Sequence, residues 1–481
     1  MMGKELKLEH FLKVEKKYNL YQDTIDGIHY WTYARYDMWA GILDEQLGLG
    51  KAHVGKIRWN NRIPIYFKLI QNSIFKRKYS KKFTDICFAF DSSNRRMINK
   101  QYACIYTDGV EKEFSNSVVL EYPYLLEHPA CEGSANLVYL DYILLKQEIS
   151  YRLYPILFKK KYNQIRKAVR KKTTEPFAAL EKLSQQKLDI NKLEKEIIKQ
   201  IIYYKAGIKS FKKLITKIHP KMMIEIAAYS SYCMMINEIC KEKHIPVVEL
   251  QHGVMNDHLA YSYATDKMLR QLPDKIFLFS EFWKRKIQMP MKEECLIATG
   301  FPYFESRLKQ AKKIPKYNDE KRNILFLSQG TIGIKLKDLA IELAQKLGKN
   351  DYRILYKLHA GEIERYKIEY QEMENYGIEV IHTKNDILYD LFASSEIQVG
   401  VYTTAIYEGL GFGLSTFIYK IEQSEYMDDL CNLGYARFFE NCEQVYRLIL
   451  EKKEEKRSCE EFWKKSSLQN MKREINHILE S

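Results

Sequence analysis

Gln398–Tyr419 reads QVGVYTTAIYEGLGFGLSTFIY. The pattern is a buried strand, a hydroxyl-rich turn, a short helix, a glycine stop and a second buried strand. Ile397, Val399 and Val401 supply the first strand, and Leu414 to Tyr419 the second. Tyr402, Thr403 and Thr404 fall at the C-terminal end of a strand and the N-terminal end of a helix, where open α/β sheets bind ligands. The first N–H groups of such a helix lack intrahelical partners and the local dipole is positive. Hydroxyls there cap the helix or help to hold a phosphate. Glu408 lies four residues after Thr404 on the same face, where a carboxylate can accept hydrogen bonds from a ribose diol. A Thr N-cap followed by a surface Glu explains the same residues, and the stretch alone does not separate the two readings.

Two further strand ends precede it. Asn323–Leu327, NILFL, runs into Ser328-Gln329-Gly330-Thr331, and Tyr352–Leu358, YRILYKL, runs into His359-Ala360-Gly361-Glu362. Ile378–His382 is another strand and Ile387–Ala393 another helix. In a parallel sheet these loops converge on one edge, and their residues suit a nucleotide mono- or diphosphate. Gly330 permits close backbone approach, hydroxyls donate, and Lys357 or His359 offsets negative charge. Ser328, Gly330, Thr331, Lys357, Tyr402, Thr403, Thr404 and Glu408 are the candidate donor-binding residues. No G-x-x-x-x-G-K-[ST] occurs, which excludes a P-loop ATPase, and Gly330-x-x-Gly333 is too short for a dinucleotide fingerprint.

The first half has the same grammar. Phe83–Asp91, FTDICFAFD, is a strand that ends in Asp91-Ser92-Ser93-Asn94 and Arg95-Arg96. Tyr102–Tyr106 and Ser117–Tyr122 read as strands, and Asn136–Thr216 as mostly helical. Pro220–Ala228 and Ile245–Leu250 flank a Ser231–Lys243 helix, a β-α-β unit that demands a parallel sheet and a right-handed crossover. The second of these strands runs straight into Gln251-His252-Gly253. Lys275–Ser280 is a strand, Glu281–Ile287 a helix and Cys295–Ala298 a short strand. Ser306–Glu320 is polar and reads as a linker, after which the pattern restarts. The fold class is therefore α/β, two facing Rossmann-like domains with parallel sheets and a cleft between them. The expected boundaries are 1–305 for the acceptor-side domain, 306–320 for the linker, 321–455 for the nucleotide-binding domain and 456–481 for a C-terminal helix that can pack back on the first domain.

The chain has 481 residues, 46% hydrophobic and 29% charged, as in a soluble globular protein of two or three domains. No apolar run approaches a membrane span, and MMGKELKLEHFLK has no apolar signal region. A cytoplasmic location is expected, at the inner face of the plasma membrane. Nine scattered cysteines without a C-x-x-C pair argue against a zinc ribbon or disulfide framework. The net charge of +15 is concentrated. Lys51–Lys82 contains no Asp or Glu, and Lys159–Lys172 reads KKKYNQIRKAVRKK. Such runs suit an anionic membrane surface or a solvated helix face. They carry no recognisable nucleic-acid module, so no nucleic-acid partner is expected.

Lys357–Glu362, KLHAGE, followed by VGVYTTAIYEGL, resembles bacterial GT-B glycosyltransferases that build capsules and other surface polysaccharides, a group that includes sialyltransferases and Kdo transferases. Their hallmarks are a His-Pro pair and a Ser-Ser or Ser-Thr pair, both holding the donor's phosphate. His359 matches the first, with Ala360 in place of the proline, and Thr403-Thr404 stands at the hydroxyl pair. VELQHG, ending at Gly253, with His258 and Tyr261, is similar to the N-terminal half of related enzymes. The resemblance runs from about Met222 to Tyr419 and implies metal-independent transfer from a nucleotide-sugar substrate, without a cofactor, to a glycan or lipid-linked acceptor. It also implies a cationic His359 against the departing phosphate. If the reaction inverts, the acceptor hydroxyl needs a base. Asp91, Asp108 and His252 are the candidates. Tyr106-Thr107-Asp108-Gly109 is similar to the acidic-acidic-Gly motif of sialyltransferases, with Thr107 in the base's place, and a hairpin turn explains Asp108-Gly109 equally well. Gln251, Gly253 and Asp108 complete the acceptor-side set. Rival readings are a polyol-phosphate transferase of the teichoic-acid type, a sugar-nucleotide 2-epimerase and a non-catalytic, membrane-associated protein of the same fold.

Overall fold

A computed structural model of the chain describes residues 6–46, 67, 69–73, 84–98, 101–124, 128–129, 136–255, 259–311, 321–330, 332–348, 351–383, 387–421, 423–451 and 459–480. Thr331, His258, residues 312–320 and most of the basic run at 51–82 lie outside these.

The first sheet contains β1 (Thr84–Asp91), β4 (Ser117–Tyr122), β5 (Leu137–Tyr139), β6 (Pro220–Ile226), β7 (Val247–Leu250), β8 (Lys275–Leu278) and β9 (Leu296–Ala298), while β2 (Arg95–Ile98) and β3 (Gln101–Cys104) form a separate antiparallel hairpin. The strand order is β5-β4-β1-β6-β7-β8-β9, with every pairing parallel. The second sheet contains β10 (Arg322–Leu327), β11 (Tyr352–Lys357), β12 (Glu379–Ile381), β13 (Ile397–Gly400), β14 (Ser415–Tyr419) and β15 (Arg437–Phe439). Its order is β12-β11-β10-β13-β14-β15, again all parallel. Both orders reverse direction next to their first strand, at β1/β6 and at β10/β13. Such a reversal opens a crevice at the C-terminal edge of a doubly wound sheet. The strands are mostly apolar because helices cover both faces. In β1, for example, Ile86 to Phe90 are all buried.

Gln398 explains why the stretch around it is so compact. Its buried Nε2 donates to Ile406 O and to Thr416 Oγ1, both at 2.8 Å, so one side chain ties β13 to the Thr404–Gly411 helix and to β14.

The long helices Asp141–Leu157, Lys159–Ser184 and Ile190–Ile218 stack with the N-terminal helices Leu8–Lys17 and Tyr30–Gln46 over one face of the first sheet. A buried ion pair fixes the N-terminal helices: Arg35 Nε donates to Glu15 Oε1 at 2.7 Å, and its Nη atoms donate to Leu259 O and Ser262 O at 2.7 and 2.8 Å. After the second sheet the chain returns to the first. Lys464 N donates to Phe279 O at 2.8 Å and Trp463 Nε1 to Tyr407 O at 3.0 Å. The Ser467–Glu480 helix then buries Met471, Ile475 and Ile478 against β1 and β6.

Several local expectations need correction. Ser306 to Ala311, read as the start of the linker, belong to the Pro302–Ala311 helix. Phe304 holds that helix down by stacking on Trp463 at 4.2 Å. Tyr106 lies beyond β3 rather than in it, and Asp108-Gly109 opens a short helix, Asp108–Glu111, rather than a hairpin. Glu281–Lys286 is 3-10 rather than α-helical.

Candidate functional site

The C-terminal edges of the two sheets meet. Val254 N, in the loop after β7, donates to Thr404 Oγ1 at 3.2 Å, 150 residues away. An apolar cluster containing Ile276, Leu278, Leu325, Leu327 and Ile406 spans the junction. His252 and Gly253 thus face the start of the 404–411 helix, and a methyl group on Gly253 would touch the Thr404 hydroxyl.

On the second-sheet wall, Thr403 is the N-cap of that helix, and its Oγ1 accepts from Ala405 N at 3.3 Å. Ile406 N donates to Thr403 O at 3.0 Å. Two N–H groups expected to meet a phosphate are therefore already paired. What the helix start offers is its dipole and two Thr hydroxyls, each accepting a backbone N–H and still holding a proton to donate. Glu408 is half-buried, and its charge acts on Tyr106 of the first half. Burial raises the Tyr106 phenol well above its ordinary pKa, and the Glu408 charge raises it further, against Arg96. The Tyr402 N–H donates to Gln329 Oε1 at 3.4 Å, which joins the β10 and β13 loops.

His359 is exposed at the end of β11. It caps the 3-10 turn Ala360–Arg365: its Nδ1 accepts from Gly361 N at 3.2 Å, and its own N–H donates to Glu362 Oε2 at 2.8 Å. An accepting Nδ1 puts the proton on Nε2. In the neutral ring that bond goes with an Nε2–H, and a ring protonated on both nitrogens would give up the Gly361 bond. Ser328 was expected to touch the donor, but it is buried and committed: its Oγ donates to Glu362 Oε1 at 3.0 Å and accepts from Tyr356 at 3.2 Å. Glu362 is the hub of this corner, fully buried and also accepting from the Tyr370 hydroxyl at 2.5 Å. Gly333 leaves room for it, since a Cβ there would collide with the Glu362 carboxylate. Lys357 turns its Nζ onto Leu358 O at 2.8 Å. Gly330 lies in the turn that follows Ser328.

On the first-sheet wall, His252 Nε2 is 3.3 Å from the Tyr229 hydroxyl, and Tyr106 donates to His252 O at 2.6 Å. Tyr229 follows Ala227, whose φ of 58° turns the chain sharply at the end of β6. Asp91 caps the turn after β1 and accepts from Ser93 N at 2.8 Å. Burial raises its carboxyl pKa, the Ser93 bonds lower it, and Glu121 raises it again. Gln251 is not available to an acceptor. It is buried, donating to Gly253 O and accepting from Phe279 N, both at 2.8 Å. Asp108 lines a cavity of about 470 Å³ with Tyr106, between the β3 end, Pro302–Lys309 and Leu468.

The structure thus brings His252, Thr403, Thr404 and Glu408 to one junction, with Asp91 at the neighbouring switch point of the first sheet. Tyr106, Tyr229 and Glu362 are additions. Tyr106 and Tyr229 stand just past strand ends, a signal open to a sequence reader, but their partners are 146 and 23 residues away.

This is a two-domain α/β protein of the GT-B type, with its candidate site where the loop after β7 meets the helix start at the switch point of the second sheet. No protein-family model matches the chain, and no curated protein matches its sequence. Solved structures do match. The UDP-GlcNAc 2-epimerase of Methanocaldococcus jannaschii superposes with a TM-score of 0.50 at 10% identity, over 82% of this chain and 100% of that one. A UDP-GlcNAc 2-epimerase from Neisseria meningitidis gives 0.48 at 12% identity, over 83% and 100%. The wall teichoic acid polymerase TagF gives 0.45 at 11% identity, over 88% and 98%. At such identities the likeness is one of fold and carries no activity across.

Proposed function

We propose that the protein is a glycosyltransferase that moves a sugar from a nucleotide-sugar donor to a surface-polysaccharide or lipid-linked glycan acceptor. One observation carries the reading: the Thr404 hydroxyl, at the start of the helix that carries Glu408, meets the loop that holds His252, which Tyr106 and Tyr229 bond on the other wall. The first wall has the chemistry to hold a diphosphate and a ribose, and the second to receive a hydroxyl acceptor.

In this reading Thr403 and Thr404 donate to the donor's phosphate at the positive end of the helix dipole, and Glu408 accepts from the ribose hydroxyls. The acceptor oxygen attacks the anomeric carbon as the bond from that carbon to the phosphate oxygen breaks. The proton leaves the acceptor hydroxyl for His252 or Asp91 if the reaction inverts. His359 donates from Nε2 to the phosphate as charge develops on it.

The first test is a thermal-shift panel of UDP, CMP, CDP and GDP, in which the cognate nucleotide raises the melting temperature. The matching sugar nucleotide is then incubated with and without a glycan acceptor. Release of nucleotide that requires the acceptor, and persists in a chelator, is the expected outcome. Conversion of UDP-GlcNAc alone would instead make the protein an epimerase, and turnover of a CDP-polyol alone a polyol-phosphate transferase. No stabilisation by any nucleotide would overturn the reading.

A further inference from the structure

The Asp141–Leu157 helix is followed at once by the Lys159–Ser184 helix, with Phe158 at the corner. The first turn is fixed to the C-terminal edge of the first sheet, where Asp141 accepts from Asn72 Nδ2 at 2.9 Å and meets His128 Nε2 at 2.6 Å. Tyr151 packs edge-on against Tyr203 of the Ile190–Ile218 helix, which ends just before β6. At 1.5 Å per residue, Tyr203 stands about 23 Å from Ile218, about the whole length of β6. Phe158 lies seven residues, about 10 Å of helix, beyond Tyr151.

This corner is apolar and uncovered. Ile156 is 73% exposed, Leu157 63% and Phe158 50%, and Ile149 and Leu153 continue the patch at helical spacing. The opposite face of the same helix, with Ile143, Leu144 and Gln147, is buried against the protein. Contiguous large apolar side chains on a surface mark an interaction site. Cations follow them along the next helix: no Asp or Glu occurs between Glu148 and Glu175, while Lys159, Lys160, Lys161, Arg166, Lys167 and Lys171 are all exposed. Arg170 and Lys172 are engaged by Glu194 and Asp23, and none of those six cations pairs with a carboxylate among the described residues.

We propose that this corner is a membrane-docking tip, in which Ile156, Leu157 and Phe158 enter the acyl region of an anionic bilayer and Lys159–Lys161 meet the headgroup phosphates. Charge complementarity selects this occupant. A second copy of the chain would set one acid-free cationic patch against another. A nucleic-acid backbone would match the cations and leave three large apolar side chains unmatched. Apolar insertion ringed by lysines is how a peripheral protein holds an anionic membrane. The proposal is independent of which reaction the cleft performs.

The test is sedimentation with vesicles of phosphatidylcholine, with and without phosphatidylglycerol, at low and high salt. The wild type should sediment with the anionic vesicles and be released by salt. The Lys159→Gln, Lys160→Gln, Lys161→Gln triple variant should lose about a hundredfold in partitioning. The Ile156→Ser, Leu157→Ser, Phe158→Ser triple variant should lose at least about tenfold at either salt. All six side chains are exposed, so melting temperatures should hold. The single variant Leu157→Glu repeats the apolar test should the triple variant melt lower. Equal binding to both vesicle types, or variants that bind as the wild type does, would overturn the proposal. A wild-type dimer that ignores vesicles and falls apart in the apolar variant would also overturn it, and would assign the corner to self-association.

Discussion

Glu225 and Glu249 are register partners on β6 and β7, and both are fully buried. Burial drives the Glu249 carboxyl up to about 8, and the Glu225 charge adds to it against bonds from Tyr261 and Ala228. Burial likewise lifts Glu225 to about 7, against the Asn237 bond. Oε2 of each has no hydrogen-bond partner among the described residues, which favours the uncharged acids. The fold therefore binds protons that the unfolded chain, with ordinary carboxyls, releases. Stability from this pair is fully present below the ordinary carboxyl value of 4.5 and is lost progressively as pH rises from there to about 7 and 8. Glu249→Gln should flatten the fall of melting temperature with pH across that window, and an unchanged slope would contradict the assignment. At the cleft, His359→Ala should lower kcat by about a hundredfold with little change in nucleotide affinity, because its contact strengthens as charge develops. Glu408→Ala should weaken nucleotide binding by about ten- to a hundredfold, since a ribose contact exists before reaction. Titration calorimetry and initial rates separate the two, and full activity in both variants would discard the site.

Elements were legible in the sequence in proportion to their burial. Strands such as NILFL and FTDICFAFD are covered on both faces, so they stand out as apolar runs. Three-residue strands such as β5 and β15 are too short to show a period, and the β2–β3 hairpin was read only as one of its strands. The hydroxyl turn after β13 was legible because strand-end position and residue type coincide there. Glu362 was not, because its role comes from Ser328 and Tyr370, 34 and 8 residues away. Packing also decides what a glycine is for. Gly300 and Gly413 both have positive φ, 98° and 82°. A Cβ on Gly300 would collide with Ser467 and with the Lys464 carbonyl, whereas one on Gly413 would meet nothing. Gly413→Ala should therefore cost about 1 kcal/mol from backbone strain alone. Gly300→Ala should cost clearly more, about 3 kcal/mol, by also displacing the C-terminal segment. Chemical denaturation of the two variants checks the order.

Across the whole molecule, the restart of the β-α pattern made two sheets legible, while the return of the last helix to the first sheet was only an option that helical periodicity left open. That return rests on pieces far apart in sequence: Trp463 against Phe304 and Tyr407, and Asn470 Nδ2 donating to Thr299 O at 3.1 Å. Trp463→Ala should therefore lower stability by about 3–5 kcal/mol, and the loss should appear in both halves together, as a single transition followed by fluorescence and circular dichroism. Two separate transitions would show that the halves unfold independently. The chain passes between the sheets twice, once around residues 302–321 and again before Ser467. Once the Val254–Thr404 bond and the apolar junction around it part, the two crossings leave one easy motion, a rotation about the line through them. In the proposed reaction, admitting a donor and releasing a product would then be the two ends of a single angular swing. One pair of spin labels, one on each sheet across the cleft from those crossings, would follow the whole swing as a single distance.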